Sequence, residues 1–241
     1  MRDPRVADAL APKTFPFGTK RTCLDTGYYH TYNRHNVTLV DLSQQPIEEI
    51  TGAGVRTSDR LVELDDLVFA TGFDAITGAI LRIDIRGRDG LSMREAWAEG
   101  PKTYLGLAVS GFPNLFIVTG PGSPSVLSNM LVSIEQHVDW IADCIDHQRR
   151  AGNVLVEATS EAQEKWVAHV NEVAHQTLYP TASSWYLGAN IPGKQRVFMP
   201  YVAGVGTYRR KCEEVAQGGY TGFRLTPETL PAEVAEPTPA G

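Results

Sequence analysis

In the run Asn114-Leu115-Phe116-Ile117-Val118-Thr119-Gly120-Pro121-Gly122-Ser123-Pro124-Ser125 the hydrophobic pattern changes period, and the architecture follows from that change. Residues 114–118 form an apolar run of strand length, and glycine and proline then punctuate a tight loop. Behind the loop Leu127, Leu131, Ile134, Val138, Ile141 and Ile145 recur at three- and four-residue steps. This predicts a helix with Ser123 as N-cap, Pro124 as first helical residue, those apolar side chains on its inner face and Gly152 at its end. Val154-Leu155-Val156-Glu157 then reads as a short strand. Strand, glycine loop, helix and strand in this order predict an α/β chain.

Outward from this unit the signals are weaker. Toward the N-terminus, Asp66-Leu67-Val68-Phe69-Ala70 stops at Thr71-Gly72 and is expected to be a fully buried central strand. Val37-Thr38-Leu39-Val40 predicts another strand, and Gly52-Ala53-Gly54 a turn beside short strands at Val55-Arg56-Thr57 and residues 61–64. Residues 2–14 read as the tail of a helix and a loop begun by something earlier. A second module is expected from Phe73, with short strands near residues 81–85. Toward the C-terminus, Ser160 with Gln163 resembles a capping box, and Trp166, Val170, Val173, Ala174 and Leu178 mark the inner face of a second helix. Residues 179–225 are loop-rich but aromatic, so they must lie against something. Prolines and few large apolar residues make 226–241 a flexible tail.

Composition excludes several classes. With 22 Lys and Arg against 28 Asp and Glu, and no basic block, a nucleic-acid or anionic-membrane partner is not expected. Cys23, Cys144 and Cys212 are too scattered for a disulfide framework or a zinc ribbon. No apolar run approaches the roughly 18 residues of a membrane span, and a reducing cytoplasm fits best.

Three places carry candidate chemistry. Gly120-x-Gly122-x-x-Ser125, with Glu157 beyond the helix, imitates a dinucleotide-binding unit. It lacks a third glycine, Pro121 and Pro124 remove two donors, and Glu157 comes late. The loop is therefore either a pyrophosphate cradle or a place where backbone comes close to another ligand or packed element. Lys20-Arg21 either holds an anion or is a solvated pair; a guanidinium stabilises an oxyanion but does not act as a base. Trp185 either stacks on an aromatic ligand or anchors the core. No His-x-x-x-His pair, Gly-x-Ser-x-Gly elbow or Walker loop occurs, which argues against a metal site, an α/β-hydrolase and a P-loop enzyme.

Six segments together resemble the C-terminal half of the Baeyer–Villiger monooxygenases, most similar to the phenylacetone and cyclohexanone group. They are Phe17-Gly18-Thr19-Lys20-Arg21, Asp25-Thr26-Gly27-Tyr28-Tyr29, Asn33-Arg34-His35-Asn36-Val37, Ala70-Thr71-Gly72-Phe73-Asp74, residues 120–130, and Ser184-Trp185-Tyr186-Leu187-Gly188-Ala189-Asn190-Ile191-Pro192-Gly193-Lys194. The resemblance implies an enzyme that uses FAD and NADPH, bound in two Rossmann-type domains, to insert one oxygen atom of O2 beside a ketone carbonyl and form an ester or lactone. The fold expected is thus α/β, with the C-terminal parts of an NADP-binding domain (1–73) and of an FAD-binding domain (74–225).

Carried over by motif, Arg21 resembles the catalytic arginine that stabilises the family's negatively charged peroxyflavin. Lys20 resembles the lysine that meets the NADP 2′-phosphate, and Trp185 the loop tryptophan that closes over the nicotinamide. Met130 matches a flavin-contacting residue, Asp74 marks the crossover on the FAD side, and Ser125, Val126 and Leu127 line the ketone pocket. Val126 stands where the family is often smaller, so a narrower pocket is expected. The family's two Gly-x-Gly-x-x-Gly fingerprints do not occur here. A missing N-terminal half is therefore expected, and the chain alone is expected to bind neither dinucleotide tightly and to be inactive. Two alternatives stay open: a non-catalytic remnant, and part of a flavin monooxygenase acting on nitrogen or sulfur.

Overall fold

A computed structural model describes residues 1–227, and the chain divides into two compact units, 1–73 and a second starting at Asp74. In the first unit α1 (Pro4–Leu10) opens on Asp3, whose carboxylate accepts the Arg5 N–H at 2.8 Å. Strands β1 (Ile47–Thr51), β2 (Gly54–Thr57) and β3 (Leu61–Glu63) form an antiparallel sheet in sequence order. Gly52 and Ala53 make its first turn, as their composition suggested. Two expected strands are not formed. Residues 37–40 and 66–70 are irregular, and Val68 and Phe69 are 85% and 68% exposed where a buried central strand was predicted.

The second unit begins with single helical turns at Gly78–Leu81 and Met93–Ala96, so the strands expected near 81–85 are replaced by a turn and irregular backbone. The long helix α2 is Met130–Arg150, followed by β4 (Asn153–Ala158), α3 (Ser160–His175), α4 (Val205–Gln217) and β5 (Phe223–Pro227). β4 and β5 pair antiparallel. The N-cap of α2 is Asn129, accepting the Leu131 N–H at 3.1 Å, because residues 123–128 are held in the loop and a separate helical turn at Ser125–Leu127. The cap of α3 is Thr159, which accepts the Ala162 N–H, and the box expected at Ser160 does not form, because Gln163 accepts the Ser110 N–H at 2.9 Å instead. The expected tail loses Thr226 and Pro227 to β5, and its remainder lies outside the described residues.

The run 114–118 is not a strand. Asn114 meets β4 with its own amide: its side chain accepts the Val156 N–H at 2.9 Å and donates to the Val154 carbonyl at 3.0 Å. Glu157 is no ribose ligand either. It is buried on β4 in an ion pair with Arg88, at 2.7 Å, and accepts the Gly111 N–H at 3.0 Å.

The face of α2 that turns inward also differs from the apolar stripe. Ser133, His137, Trp140, Cys144 and Gln148 are buried, whereas Leu131 is 70% and Val138 49% exposed. What covers a helix decides its inner face, and here the neighbour is an aromatic core that pairs with polar atoms. Trp140 Nε1 donates to the Cys212 carbonyl (2.9 Å), Tyr208 Oη to Leu105 (2.7 Å) and Tyr104 Oη to Thr221 (2.9 Å), so each buried ring keeps its polar tip satisfied. α4, unforeseen in a segment read as loop, carries Tyr208 and Cys212 into this core. On α3, Trp166, Val170 and Ala174 turn inward as expected, while Leu178 lies past the helix and is exposed.

Gly106 is a tight joint beside the glycine loop. Its φ is +73°, and a Cβ there would stand 2.6 Å from the Ser123 backbone nitrogen. Gly106→Ala is expected to lower unfolding free energy by about 3 kcal/mol, through strain and overpacking together, measured by urea denaturation of the chain.

Candidate functional site

The glycine loop is buried from Gly120 to Ser125; Pro121 and Pro124 carry no N–H, and the donors of Gly122 and Ser123 are spent on the protein itself. Gly122 N–H donates to the Met199 carbonyl (2.6 Å) and Ser123 N–H to that of Gly120 (3.1 Å). The Ser123 carbonyl accepts from Tyr201 N–H (2.7 Å), that of Pro121 from Thr103 Oγ1 (2.5 Å), and that of Gly122 from Trp166 Nε1 (3.2 Å). A Cβ on Gly122 would sit 3.0 Å from the Trp166 Nε1 atom. The loop therefore fits close packing and does not fit a pyrophosphate cradle, which needs N–H groups left free for the ligand.

Strain brackets the loop. Thr119 and Ser125 have φ of +56° and +45°, a region costly for side chains with a Cβ and most of all for a β-branched one. The Thr119 N–H is held by His137 Nδ1 at 3.0 Å. That bond puts the ring proton on Nε2, which lies buried without a hydrogen-bond partner, and the ring meets Tyr208 edge-on at 5.4 Å. Burial pushes the His137 pKa down to about 4. Sequence reading passed over His137 because it lies between the apolar positions that marked the helix.

Next to the strained Ser125, Val126 and Leu127 are half-buried against a cluster that also contains Trp185, Tyr186 and Phe198. The structure thus brings two of the residues matched to the ketone pocket into one apolar group with the matched loop tryptophan. Trp185 heads a helical turn capped by Ser184, and its ring lies 4.3 Å from that of Tyr186. Met130 opens α2, next to the exposed Leu131 and Val132, an apolar surface that fits a ring rather than a phosphate. Asp74 is engaged by Lys194, whose ammonium donates to its carboxylate and lies 3.4 Å from the Ala75 carbonyl. Lys194 was visible only as the last letter of a matched motif.

Lys20 and Arg21 belong to the first unit. Thr19, buried, closes their turn by donating to the Pro16 carbonyl at 2.7 Å. The Lys20 ammonium sits 4.3 Å over the Phe15 ring, and Arg21 is exposed on the same loop. Two adjacent cations, one steadied on an aromatic face, suit a phosphate-bearing ligand, whereas no glycine fingerprint accompanies them.

No family profile matches the chain. It is 46% identical over 222 residues to a Baeyer–Villiger monooxygenase of Pseudooceanicola batsensis, covering 92% of this chain and 40% of that protein.

Its homologues include the Baeyer–Villiger monooxygenases. Acetone monooxygenase (methyl acetate-forming) of Gordonia sp. strain TY-5 is 44% identical over 226 residues, 93% of this chain and 42% of that one. A phenazine N-monooxygenase of Lysobacter antibioticus is 42% identical over 226 residues, with 93% and 41% covered. Among solved structures, closed cyclohexanone monooxygenase superposes with a TM-score of 0.90 at 44% identity, over 95% of this chain and 42% of that one. The OTEMO complex with FAD and NADP gives 0.89 at 42% identity, over 94% and 42%. The chain thus spans about two-fifths of the length of these relatives, a mixed α/β portion of the Baeyer–Villiger monooxygenase fold. No helix among the described residues is long and apolar enough to cross a membrane.

Because His137 is neutral when folded and titrates near 6.5 when unfolded, the unfolded chain binds the extra proton as pH falls. Stability present above about pH 6.5 is therefore expected to decline by as much as about 3 kcal/mol between pH 6.5 and pH 4. Urea midpoints across this range, compared between the parent chain and His137→Gln, measure it; the variant is expected to show a flatter profile.

Proposed function

We propose that the chain is the C-terminal portion of an NADPH- and FAD-dependent Baeyer–Villiger monooxygenase, converting a ketone, O2, NADPH and a proton to an ester or lactone, water and NADP+. The observation that carries this reading is the match, over 93% of the chain, to a monooxygenase named for forming methyl acetate from acetone. When bound, the flavin supplies oxygen activation and the nicotinamide supplies the reducing hydride.

The chain's own residues bind and orient. Arg21, charged at any working pH, stabilises negative charge at the reacting atoms and takes no proton. Lys20, steadied over Phe15, offers a point charge to the 2′-phosphate and so favours NADP over NAD. Trp185 would offer its ring to the nicotinamide and exclude water there. Met130 and the apolar start of α2 meet the flavin side, and Ser125, Val126 and Leu127 shape the ketone pocket. The branched Val126 leaves less room than a smaller residue would, which favours slender ketones. With its glycine loop consumed internally, the chain takes the dinucleotide phosphates only together with an N-terminal half that carries the two glycine fingerprints.

A second reading has its own support, since the phenazine N-monooxygenase is 42% identical over nearly the same span. Product analysis with ketones and with aromatic nitrogen heterocycles separates the two.

Joined to a matching N-terminal half, the chain is expected to form ester. Arg21→Ala should lower that rate by more than about 100-fold with flavin still bound, the scale of removing one charge-stabilising donor. Oxygenation persisting in that variant would refute the role of Arg21. In the same enzyme Trp185→Ala should weaken NADP+ binding about tenfold, measured by titration, the scale of a lost aromatic stack of about 1.4 kcal/mol. The chain expressed alone and mixed with FAD is expected to be colourless after desalting, and stoichiometric flavin retention would show that it cradles the cofactor unaided.

A further inference from the structure

We infer that Lys194 is a positioning residue whose ion pair with Asp74 fixes the turn presenting Trp185, an inference that rests on the reading of Trp185 given above. The turn's own bonds are mostly local. Ser184 Oγ accepts from Tyr186 N–H (3.0 Å), Leu187 and Ala189 N–H donate to the Ser184 carbonyl (3.0 and 3.1 Å), and Lys194 N–H donates to Ile191 (3.3 Å). Such bonds shape a turn without saying where it lies. Met199 N–H, donating to the Tyr186 carbonyl at 2.9 Å, ties the turn to the segment that follows it, and the Lys194 ammonium ties it to a carboxylate 120 residues away in sequence.

Three features make this pair more than a surface contact. The two side chains are only 15% and 31% exposed, against 75% and 77% for the ion pair Lys165–Glu161, so solvent screens the charges less. The aliphatic stem of Lys194 lies across Gly188, the residue that ends the Trp185 turn: a Cβ on Gly188 would be 3.1 Å from Lys194 Cδ. The Asp74 end is closely packed as well. Ile76 is held at a φ of +69°, Thr77 is buried, and a Cβ on Gly78 would be 2.6 Å from the Asp74 side chain. One side chain thus presses on the turn with its stem and anchors to a fixed carboxylate with its head.

Hydrogen exchange of the 241-residue chain, followed by mass spectrometry of the peptide 184–194, tests this without any cofactor. Lys194→Met and Asp74→Asn are each expected to speed exchange there by about tenfold while α3 amides keep their rates. Lys194→Arg should retain protection, and the double variant should exchange no faster than either single one. Trp185 emission, taken as the difference from Trp185→Phe, should shift to the red in Lys194→Met and Asp74→Asn. Unchanged exchange in both single variants, or effects that add in the double, would overturn the inference. The reading of Trp185 fails by a different result, namely NADP+ affinity of the joined enzyme unaffected by Trp185→Ala.

Discussion

A backbone loop buried as deeply as residues 120–125 must pair its N–H and C=O groups inside the protein, and this single requirement organises the second unit. Its partners come from four directions: Met199 and Tyr201 by backbone, Thr103 and Trp166 by side chain. Each contact demands closeness, and closeness demands residues without a Cβ, which is why Gly106, Gly120 and Gly122 meet here. The aromatic rings that surround the loop add area and, through Trp166 Nε1, a donor that a purely aliphatic core would lack.

This arrangement has a chemical consequence. A loop with two prolines, whose Gly122 and Ser123 N–H groups are already taken, offers an anion little, so the glycine signature that first invites a phosphate reading describes packing instead. Positive charge for a ligand lies elsewhere, on Lys20 and Arg21, in a turn stiffened by Thr19 and Phe15. The strained Thr119 and Ser125, the second continuing into Val126 and Leu127, place the cost of that packing beside residues matched to a substrate pocket. His137, neutral and buried, holds one end of the strained segment by accepting a hydrogen bond from the Thr119 N–H.

Much of the secondary structure was legible, but not which surfaces met. The existence and end of α2 followed from the spacing of its apolar residues, yet its inner face did not, because Leu131 and Val138 are more hydrophobic than Ser133 and Gln148 while the latter are the ones covered. Periodicity reports that a stripe exists; burial depends on the neighbour. α4 escaped notice because Tyr208 and Cys212 are the only buried residues in a helix crowded with Arg209, Arg210, Lys211, Glu213 and Glu214. The apolar run 114–118 looked like a strand and is not one: among the described residues it meets β4 only at Asn114, by backbone N–H and side-chain amide together, and pairs elsewhere only in a single bridge of Phe116 with Ala108.

The sequence by itself determined the α/β class, the candidate residues from Lys20 to Trp185 and the kinship with Baeyer–Villiger monooxygenases, because motif and spacing are local properties that survive in a one-dimensional string. Only the tertiary structure decided what each group is free to do. It took the glycine loop's donors, gave Glu157 to Arg88 and Asp74 to Lys194, and gathered Val126, Leu127 and Trp185 into one cluster. A donor, a carboxylate or a ring acquires its role from the partner that reaches it, and those partners lie tens of residues away along the chain.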